Sequence, residues 1–316
     1  MKKFHSTVSR RDFMKALGLG AAGLGAVGVA SPLIHDLDEL TGTSSTTQKR
    51  AWWIKEVDQP TVEIDWNVIQ RFRKDRYNNF NAHLSQADAA QIQQTAQNTV
   101  KQYMTDNSKP GWMLKDRAVK TSMWYGLTPR GRDPNYARYT HEGAIWATTP
   151  EQLGVPKYTG SPEDNAKMLT HVLRMFGAST VGFAEINNNT KKLVWSHFPA
   201  SPFPEYVFEE VGNPVMDLTN KKAVIPNESR WAVVYTNRMS GETFKRPGYT
   251  SDGGAGLAYD QCDIVQYRLQ SFLRNLGYSC IGQTIQGIGP IAGWGVLTGV
   301  GELGRLQHLL TPEWGP

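Results

Sequence analysis

The feature that most constrains the fold of this chain is an amphipathic helix with both ends marked, followed at once by a strand. Ser161 suits the N-cap position, Pro162 suits the first helical turn, and Gly177 suits the left-handed residue that ends a helix. The apolar residues between them recur at helical spacing: Met168, Leu169, Val172, Leu173 and Phe176. Residues 180–186 then have the composition of a strand. This order of elements predicts a mixed α+β fold.

Further segments have regular patterns. Residues 231–236 are predicted to form a strand, which leads through a glycine-rich loop at 248–256 into a helix at 257–276. The apolar residues of that helix recur every three or four positions: Tyr259, Cys262, Val265, Leu269, Phe272 and Leu276. Periodicity alone therefore predicts that Tyr259 is an ordinary buried aromatic residue. A glutamine-rich segment at 85–106 is also predicted to be helical.

The positive charge of the chain is concentrated at its N-terminus. The formal net charge is +5, and residues 1–31 hold five basic residues and one acidic residue, which gives 5 − 1 = +4. The rest of the chain therefore carries only 5 − 4 = +1, and it has no basic cluster interleaved with aromatic side chains. This distribution disfavours a nucleic-acid partner.

Cysteine and histidine usage limits the metal chemistry. The chain has two cysteines, Cys262 and Cys280, whereas an iron-sulfur cluster needs about four thiolate ligands. Its seven histidines show no H-x-H or H-E-x-x-H spacing that would place two ligands on one face. A metal site built from protein ligands is therefore not predicted.

Residues 9–15 have the layout of a twin-arginine (Tat) export signal. The pair Arg10-Arg11 is followed by Phe13 and Lys15, and then by an uncharged stretch rich in alanine and glycine. A membrane-spanning helix is the alternative, but it needs about 20 apolar residues, and the many glycines disfavour a helix. We therefore predict a Tat signal at residues 1–31. Because the Tat route carries folded proteins, the remaining chain is expected to hold a bulky cofactor.

Three glycines near the end, Gly299, Gly301 and Gly304, match the G-x-G-x-x-G pattern of a dinucleotide-binding turn. Such a turn opens a β-α-β unit and has an acidic residue about 20 positions further on, whereas only 316 − 304 = 12 residues follow here. The nucleotide interpretation is therefore disfavoured. The glycines are instead expected to allow close approach to a flat group or a tight crossing of the chain.

Beyond these patterns, an ordered series of short motifs resembles the respiratory reductive dehalogenases of organohalide-respiring bacteria. The motifs occur in family order along the chain, at residues 9–15, 52–53, 61–66, 157–165, 176–182, 224–227, 276–278 and 301–305. The resemblance implies a nitroreductase-like α+β domain that binds a corrinoid, followed by a ferredoxin-like module with two 4Fe-4S clusters. No D-x-H-x-x-G sequence is present, so the cobalt is expected to have no histidine ligand from the protein, as in that family.

The resemblance also implies a layout of domains. Residues 1–31 would be the signal, and residues 32–156 would be an N-terminal region that wraps the core. Residues 157–316 would form the nitroreductase-like corrinoid-binding domain, cut before its C-terminal end.

The same resemblance implies a set of site residues. Tyr259 lies at the family's position for the catalytic proton donor. Cofactor-binding positions fall on Gln286, Gly299, Gly301 and Gly304, with glutamine in place of an asparagine that some relatives have. The arginine that supports the tyrosine in the family would follow Pro316, the last residue given.

The implied activity is replacement of halogen by hydrogen on a small organohalide, such as a chlorinated ethene, in organohalide respiration. The implied partners are a small membrane-anchor protein and the Tat export machinery, which would place the enzyme at the outer face of the cytoplasmic membrane. Two alternatives stay open. One is a truncated, non-catalytic product that binds a corrinoid, and the other is a Tat-exported flavin oxidoreductase of nitroreductase-like fold.

Overall fold

The computed structural model describes residues 57–74, 84–106, 108–124, 141–144, 147–198, 204–282, 288–312 and 315. All of them belong to one compact unit, Ala51–Pro316. The predicted signal at 1–31 and the predicted cofactor residue Gln286 lie outside the described residues. Within the described ranges, no helix is both long enough and apolar enough to cross a membrane.

The described residues form six α-helices and seven short strands. The helices are α1 (Gln86–Asp106), α2 (Leu114–Trp124), α3 (Pro162–Phe176), α4 (Gly241–Phe244), α5 (Tyr249–Asn275) and α6 (Ile291–Leu297). The strands are β1 (Val181–Glu185), β2 (Glu205–Glu209), β3 (Val215–Asp217), β4 (Lys222–Pro226), β5 (Trp231–Tyr235), β6 (Glu302–Leu303) and β7 (Leu309–Leu310).

The strands pair into three small sheets. Strands β1 and β5 are antiparallel, with Gly182 opposite Val234. Strand β4 lies between β2 and β3, parallel to β2 and antiparallel to β3. Strands β6 and β7 form an antiparallel pair. Because helices and mixed strand pairs build one unit, the predicted α+β class is confirmed.

Helix α3 begins and ends where the sequence predicts. The Ser161 hydroxyl accepts a hydrogen bond from the Asp164 backbone N–H at 3.1 Å. At the other end Gly177 has φ +115°, and its N–H donates to the Arg174 carbonyl at 3.0 Å. The predicted strands at 180–186 and 231–236 are β1 and β5, and the glutamine-rich segment is α1. Local caps therefore suffice to set the ends of α3.

Helix α5 begins earlier than predicted. The segment 248–256, predicted as a glycine-rich loop, is helical from Tyr249 onward, so the helix starts 257 − 249 = 8 residues before Leu257. The reason is packing, because a Cβ at Gly254 would lie 2.8 Å from the Thr243 Cβ on α4. A glycine inside a helix costs about 1 kcal/mol relative to alanine. Here the close contact of α4 with α5 offsets that cost.

Two apolar clusters form the core. One cluster lies between α3, α5 and the β1–β5 pair, around Leu173, Val265 and Leu269, all at most 4% exposed. The other joins the three-stranded sheet to α6, through residues that include Tyr206 and Trp294. The first cluster fixes the apolar face of α5 against α3 and the sheet. It therefore also fixes the direction of the other face of α5.

The irregular segment 57–74 lies against the core and is fixed there by Arg71. The Nη2 atom of Arg71 donates to the carbonyl oxygens of Trp195 and Tyr206, both at 2.7 Å. These bonds join positions 124 and 135 apart in the sequence. The predicted domain boundary at residue 157 stays a prediction.

Burial of His141 predicts a loss of stability in mild acid. The ring is 1% exposed, and its Nε2 lies 2.8 Å from the Val224 carbonyl oxygen. Burial lowers the pKa of His141, because its effect exceeds the opposing effects of that carbonyl and of Glu142. In the unfolded chain the histidine pKa is about 6.5, so the unfolded state takes up the proton first as the pH falls. The stabilising contribution is therefore complete above about pH 6.5 and is lost as the pH falls through the folded-state pKa.

We expect the urea-derived free energy of unfolding to decrease between about pH 7.5 and pH 5, and His141→Gln to weaken this dependence. Replacing His171 on the exposed side of α3 by Gln provides the control. Equal pH dependence in the two variants and the unchanged protein would contradict the assignment.

Candidate active site

Helix α5 buries two faces of opposite character. Its apolar face, with Val265 and Leu269, packs in the core cluster with α3 and β1. With 3.6 residues per turn, positions 259, 263, 266 and 270 fall within about 60° of one another on a different side of the helix. Tyr259 therefore lies on this other side of α5, although periodicity grouped it with the apolar residues of the helix. It is partly buried.

The polar face of α5 is almost closed to solvent. Asp263, Gln266 and Gln270 are 2%, 5% and 1% exposed, and the neighbouring Asp260 is 3% exposed. Burying amides and carboxylates is costly unless other groups hydrogen-bond to them. This side of the helix therefore carries three such side chains beside a tyrosine, with Asp260 adjoining them, and it is the candidate functional site. We define Tyr259, Asp263, Gln266 and Gln270 as the polar face of α5.

The two glutamines contact the segment 280–282. Gln270 donates from Nε2 to the Cys280 carbonyl at 3.0 Å. The Gln266 amide occupies the space beside Gly282, where a Cβ would lie 2.8 Å from Oε1. Since residue 280 lies opposite residue 270 and residue 282 opposite residue 266, the segment runs antiparallel to α5. Its direction leads toward the turn of the helix that carries Tyr259.

Ile288 and Gly289 contact two tryptophans. The backbone N–H of Trp195 donates to the Ile288 carbonyl at 2.7 Å. Trp294 contacts Gly289, where a Cβ would lie 2.5 Å from the indole Nε1. Gln286 lies outside the described residues, so only its described neighbours in the sequence, up to Gly282 and from Ile288, are placed. The cofactor role of Gln286 stays a prediction.

Two ionisable groups beside α5 remain protonated at neutral pH. Burial raises the pKa of the Cys280 thiol to about 12. Burial also raises the pKa of Tyr235 well above its usual value, with smaller contributions from Cys262 and Asp263, and its hydroxyl donates to the Cys262 carbonyl at 2.7 Å. Metal binding requires a thiolate rather than a thiol. The described residues contain no group of three or more His, Cys, Asp or Glu side chains placed to hold a metal ion.

In the G-x-G-x-x-G pattern, Gly299 and Gly301 lie between α6 and β6, and Gly304 follows β6. This order is the reverse of the strand, turn and helix of a dinucleotide-binding site. Gly299 has φ +69°, and a Cβ there would lie 2.6 Å from the Val57 carbonyl carbon. The Cβ position of Gly301 faces the Leu310 carbonyl oxygen at 2.5 Å, and that of Gly304 faces the Leu310 side chain at 3.2 Å. The glycines thus accommodate crossings of the chain, and their cofactor role stays a prediction.

Comparison with known proteins identifies the family. A family model for the reductive dehalogenase subunit matches residues 49–316. The chain belongs to the reductive dehalogenase subunit family. Reductive dehalogenases are oxidoreductases, so this is a family of enzymes.

Individual reductive dehalogenases are similar over most of the chain. It is 28% identical to a chloroethene reductive dehalogenase of Dehalococcoides mccartyi strain VS, over 100% of this chain and 72% of the relative. It is 25% identical to a trichloroethene reductive dehalogenase of Dehalococcoides mccartyi strain ATCC BAA-2266 / KCTC 15142 / 195, over 99% of this chain and 73% of that relative. A tetrachloroethene reductive dehalogenase of Sulfurospirillum multivorans is 26% identical over 51% of this chain and 34% of its own length.

Two of the motifs that resemble reductive dehalogenases contact each other. The Tyr278 hydroxyl donates to the Tyr158 carbonyl at 2.8 Å, and the Tyr158 N–H donates to the Leu276 carbonyl at 3.1 Å. The Lys157 ammonium lies 3.9 Å from the centroid of the Tyr278 ring. The segments before α3 and after α5 are therefore locked together, which sets the positions of both helices.

Sequence reasoning predicted Tyr259 as a site residue but did not single out the polar residues that share its face. Asp263, Gln266 and Gln270 are spaced three or four positions apart, and this spacing is visible in the sequence. This spacing predicts a face exposed to solvent, because polar residues at helical spacing usually face water. Only the covering segment at 280–282 shows that the face is internal.

Proposed function

We propose that this chain is the corrinoid-binding part of a reductive dehalogenase catalytic subunit that replaces halogen by hydrogen on chlorinated ethenes. Membership of the family supports the reaction class. The observation that carries the assignment of a site is the buried polar face of α5, with Tyr259 at its N-terminal end. The names of the two relatives from Dehalococcoides mccartyi support chlorinated ethenes as the substrate class.

The reaction consumes two electrons and one proton, R–Cl + 2 e⁻ + H⁺ → R–H + Cl⁻. A reduced corrinoid, when bound, supplies the electrons that break the carbon–halogen bond. Tyr259 donates its phenolic proton to the carbon that loses the halide, and the partial exposure of its side chain gives water a route to restore that proton. The core cluster around Val265 and Leu269 keeps α5, and so Tyr259, in a fixed place during turnover.

Two buried indole N–H groups fit a corrinoid. The indole N–H groups of Trp195 and Trp294 are buried and have no acceptor in the described part of the chain. A buried donor of this kind calls for a partner. A corrinoid carries a rim of amide side chains, whose carbonyl oxygens accept such hydrogen bonds. We propose that Trp195, Trp294 and Gln286 hold this rim, and that no histidine of the chain ligates the cobalt.

Two 4Fe-4S clusters, reduced by a low-potential donor, would supply the electrons in this proposal. Cys262 and Cys280 cannot ligate these clusters, because each cluster needs about four thiolates. These two cysteines are therefore not proposed as cluster ligands.

We also propose a nitroreductase-like arrangement for the domain and export by the Tat route to the outer face of the cytoplasmic membrane. The mixed α+β architecture supports the former. The motif at residues 9–15 supports the latter. A small membrane-anchor protein would then hold the enzyme at the membrane.

Pigment extraction tests the cofactor, and halide release tests the activity. Full-length protein, purified without oxygen, should release a corrinoid with a stoichiometric amount of cobalt, and it should release chloride from trichloroethene when a reduced viologen is added. Heat-treated protein and protein without the reductant are the controls. Extraction of a flavin without cobalt would refute the corrinoid proposal and favour a flavin oxidoreductase of the same fold.

A further inference from the structure

A concave site lies at the C-terminal end of α5. A cleft of about 370 Å³ is formed between the C-terminal end of the helix and the loop 149–157. Its lining includes Glu151, Lys157, Arg274 and Tyr278. Arg274 follows Tyr259 by 15 positions, which is about 22 Å along a helix axis. The cleft is therefore separate from the candidate active site.

The two cations of the cleft are held in place by the protein. Arg274 donates from Nε to the Ala147 carbonyl at 3.0 Å, which orients the guanidinium plane. The side chain of Lys157 lies over Gly277, where a Cβ would be 2.9 Å from the lysine Cγ. The lysine ammonium then lies over the Tyr278 ring. Because these side chains are already ordered, a ligand loses little of its binding energy in ordering them.

The charges of these cations are not neutralised by neighbours. Neither Lys157 nor Arg274 forms an ion pair with any residue that the structure describes. Glu151 is the one carboxylate in the lining, so the cleft carries 2 − 1 = +1, and Glu151 stands outside ion-pair distance of both cations. A guanidinium with its terminal nitrogens available, lining the same cleft as an ammonium, is a donor set suited to phosphate. We propose that this cleft binds a phosphate group.

Isothermal titration of the full-length protein with inorganic phosphate, at constant ionic strength, tests the proposal. We expect saturable binding, and binding about tenfold weaker after Arg274→Gln or Lys157→Gln, because each change removes a charge-assisted hydrogen bond. Lys157→Gln keeps most of the side-chain stem and guards against a folding defect in the arginine variant. Lys101→Gln, on the exposed surface of α1, is the control and should bind phosphate normally.

A parallel titration with glycerol 3-phosphate distinguishes free phosphate from a phosphate monoester as the ligand. Equal affinity identifies free phosphate as the ligand, and tighter binding of the ester identifies a phosphate monoester; either result supports the site. Absence of saturable binding of both compounds, or unchanged affinity in both cleft variants, would overturn the proposal. Because the readout is phosphate binding, its failure leaves the dehalogenase proposal untouched.

Discussion

Replacing Tyr259 by Phe is expected to reduce halide release by about 10²- to 10⁴-fold, because removing a general acid typically has an effect of this size. The substitution removes only the hydroxyl group and leaves the aromatic ring on the polar face of α5. The protein should therefore fold and keep its corrinoid. The measurement is chloride release per corrinoid-bound enzyme, with the absorption spectrum of the cofactor recorded on the same sample.

The matched control is Tyr249→Phe, which removes the same group from the first turn of the same helix. The Tyr249 ring packs on Trp112 with centroids 5.3 Å apart, in the region where α2 contacts α5. This variant should keep normal turnover. If Tyr259→Phe retained full turnover with a full complement of corrinoid, Tyr259 would have no role as the proton donor.

The second large effect is expected at Gly299. An alanine there would adopt a left-handed backbone, at a cost of about 1–2 kcal/mol. Its Cβ would also press on the Val57 backbone, and forced packing of this kind costs about 1–3 kcal/mol. The sum predicts a loss of about 2–5 kcal/mol in the free energy of unfolding, measurable by urea titration.

Gly154 provides a control that separates the two contributions. It has the same φ of +69°, but a Cβ there would meet no atom within 4 Å. Gly154→Ala should therefore cost only the backbone contribution of about 1–2 kcal/mol. Equal losses in the two variants would show that Val57 moves aside freely and that the chain crossing contributes nothing.

The same pair of variants tests the cofactor role predicted for Gly299. If the glycine serves only the chain crossing, Gly299→Ala should destabilise the protein equally with and without corrinoid. If it also lies against the cofactor, the variant should lose corrinoid affinity as well, because ligand binding adds to the stability of the folded state. The measurement is the unfolding free energy of both forms.

The helix ends that depend on local signals could be predicted from the sequence. Ser161 and Gly177 define α3 through hydrogen bonds to residues within four positions, so no distant part of the chain is needed. The start of α5 could not be predicted in this way. Gly254 indicates a loop by composition, and its role becomes visible only when Thr243 packs against it.

The candidate site was predictable to a similar extent. Position within the family points to Tyr259, although periodicity alone groups it with the apolar residues of α5. The buried glutamines could not be recognised, because their burial depends on the segment that carries Cys280 and Gly282. Helix α5 buries one apolar face and one polar face. Apolar periodicity in the sequence indicates only the apolar face, so the buried polar face is not predicted.

The attachment of Arg71 has a consequence for the order of folding. Its two acceptors lie 124 and 135 positions later, and Val57 in the same segment meets Gly299 later still. A ribosome delivers residue 71 long before these partners exist, and domains form only as their parts emerge. The segment 57–74 therefore cannot form these contacts until most of the chain has been synthesised. The earliest-made part of this compact unit is among the last to reach its final place.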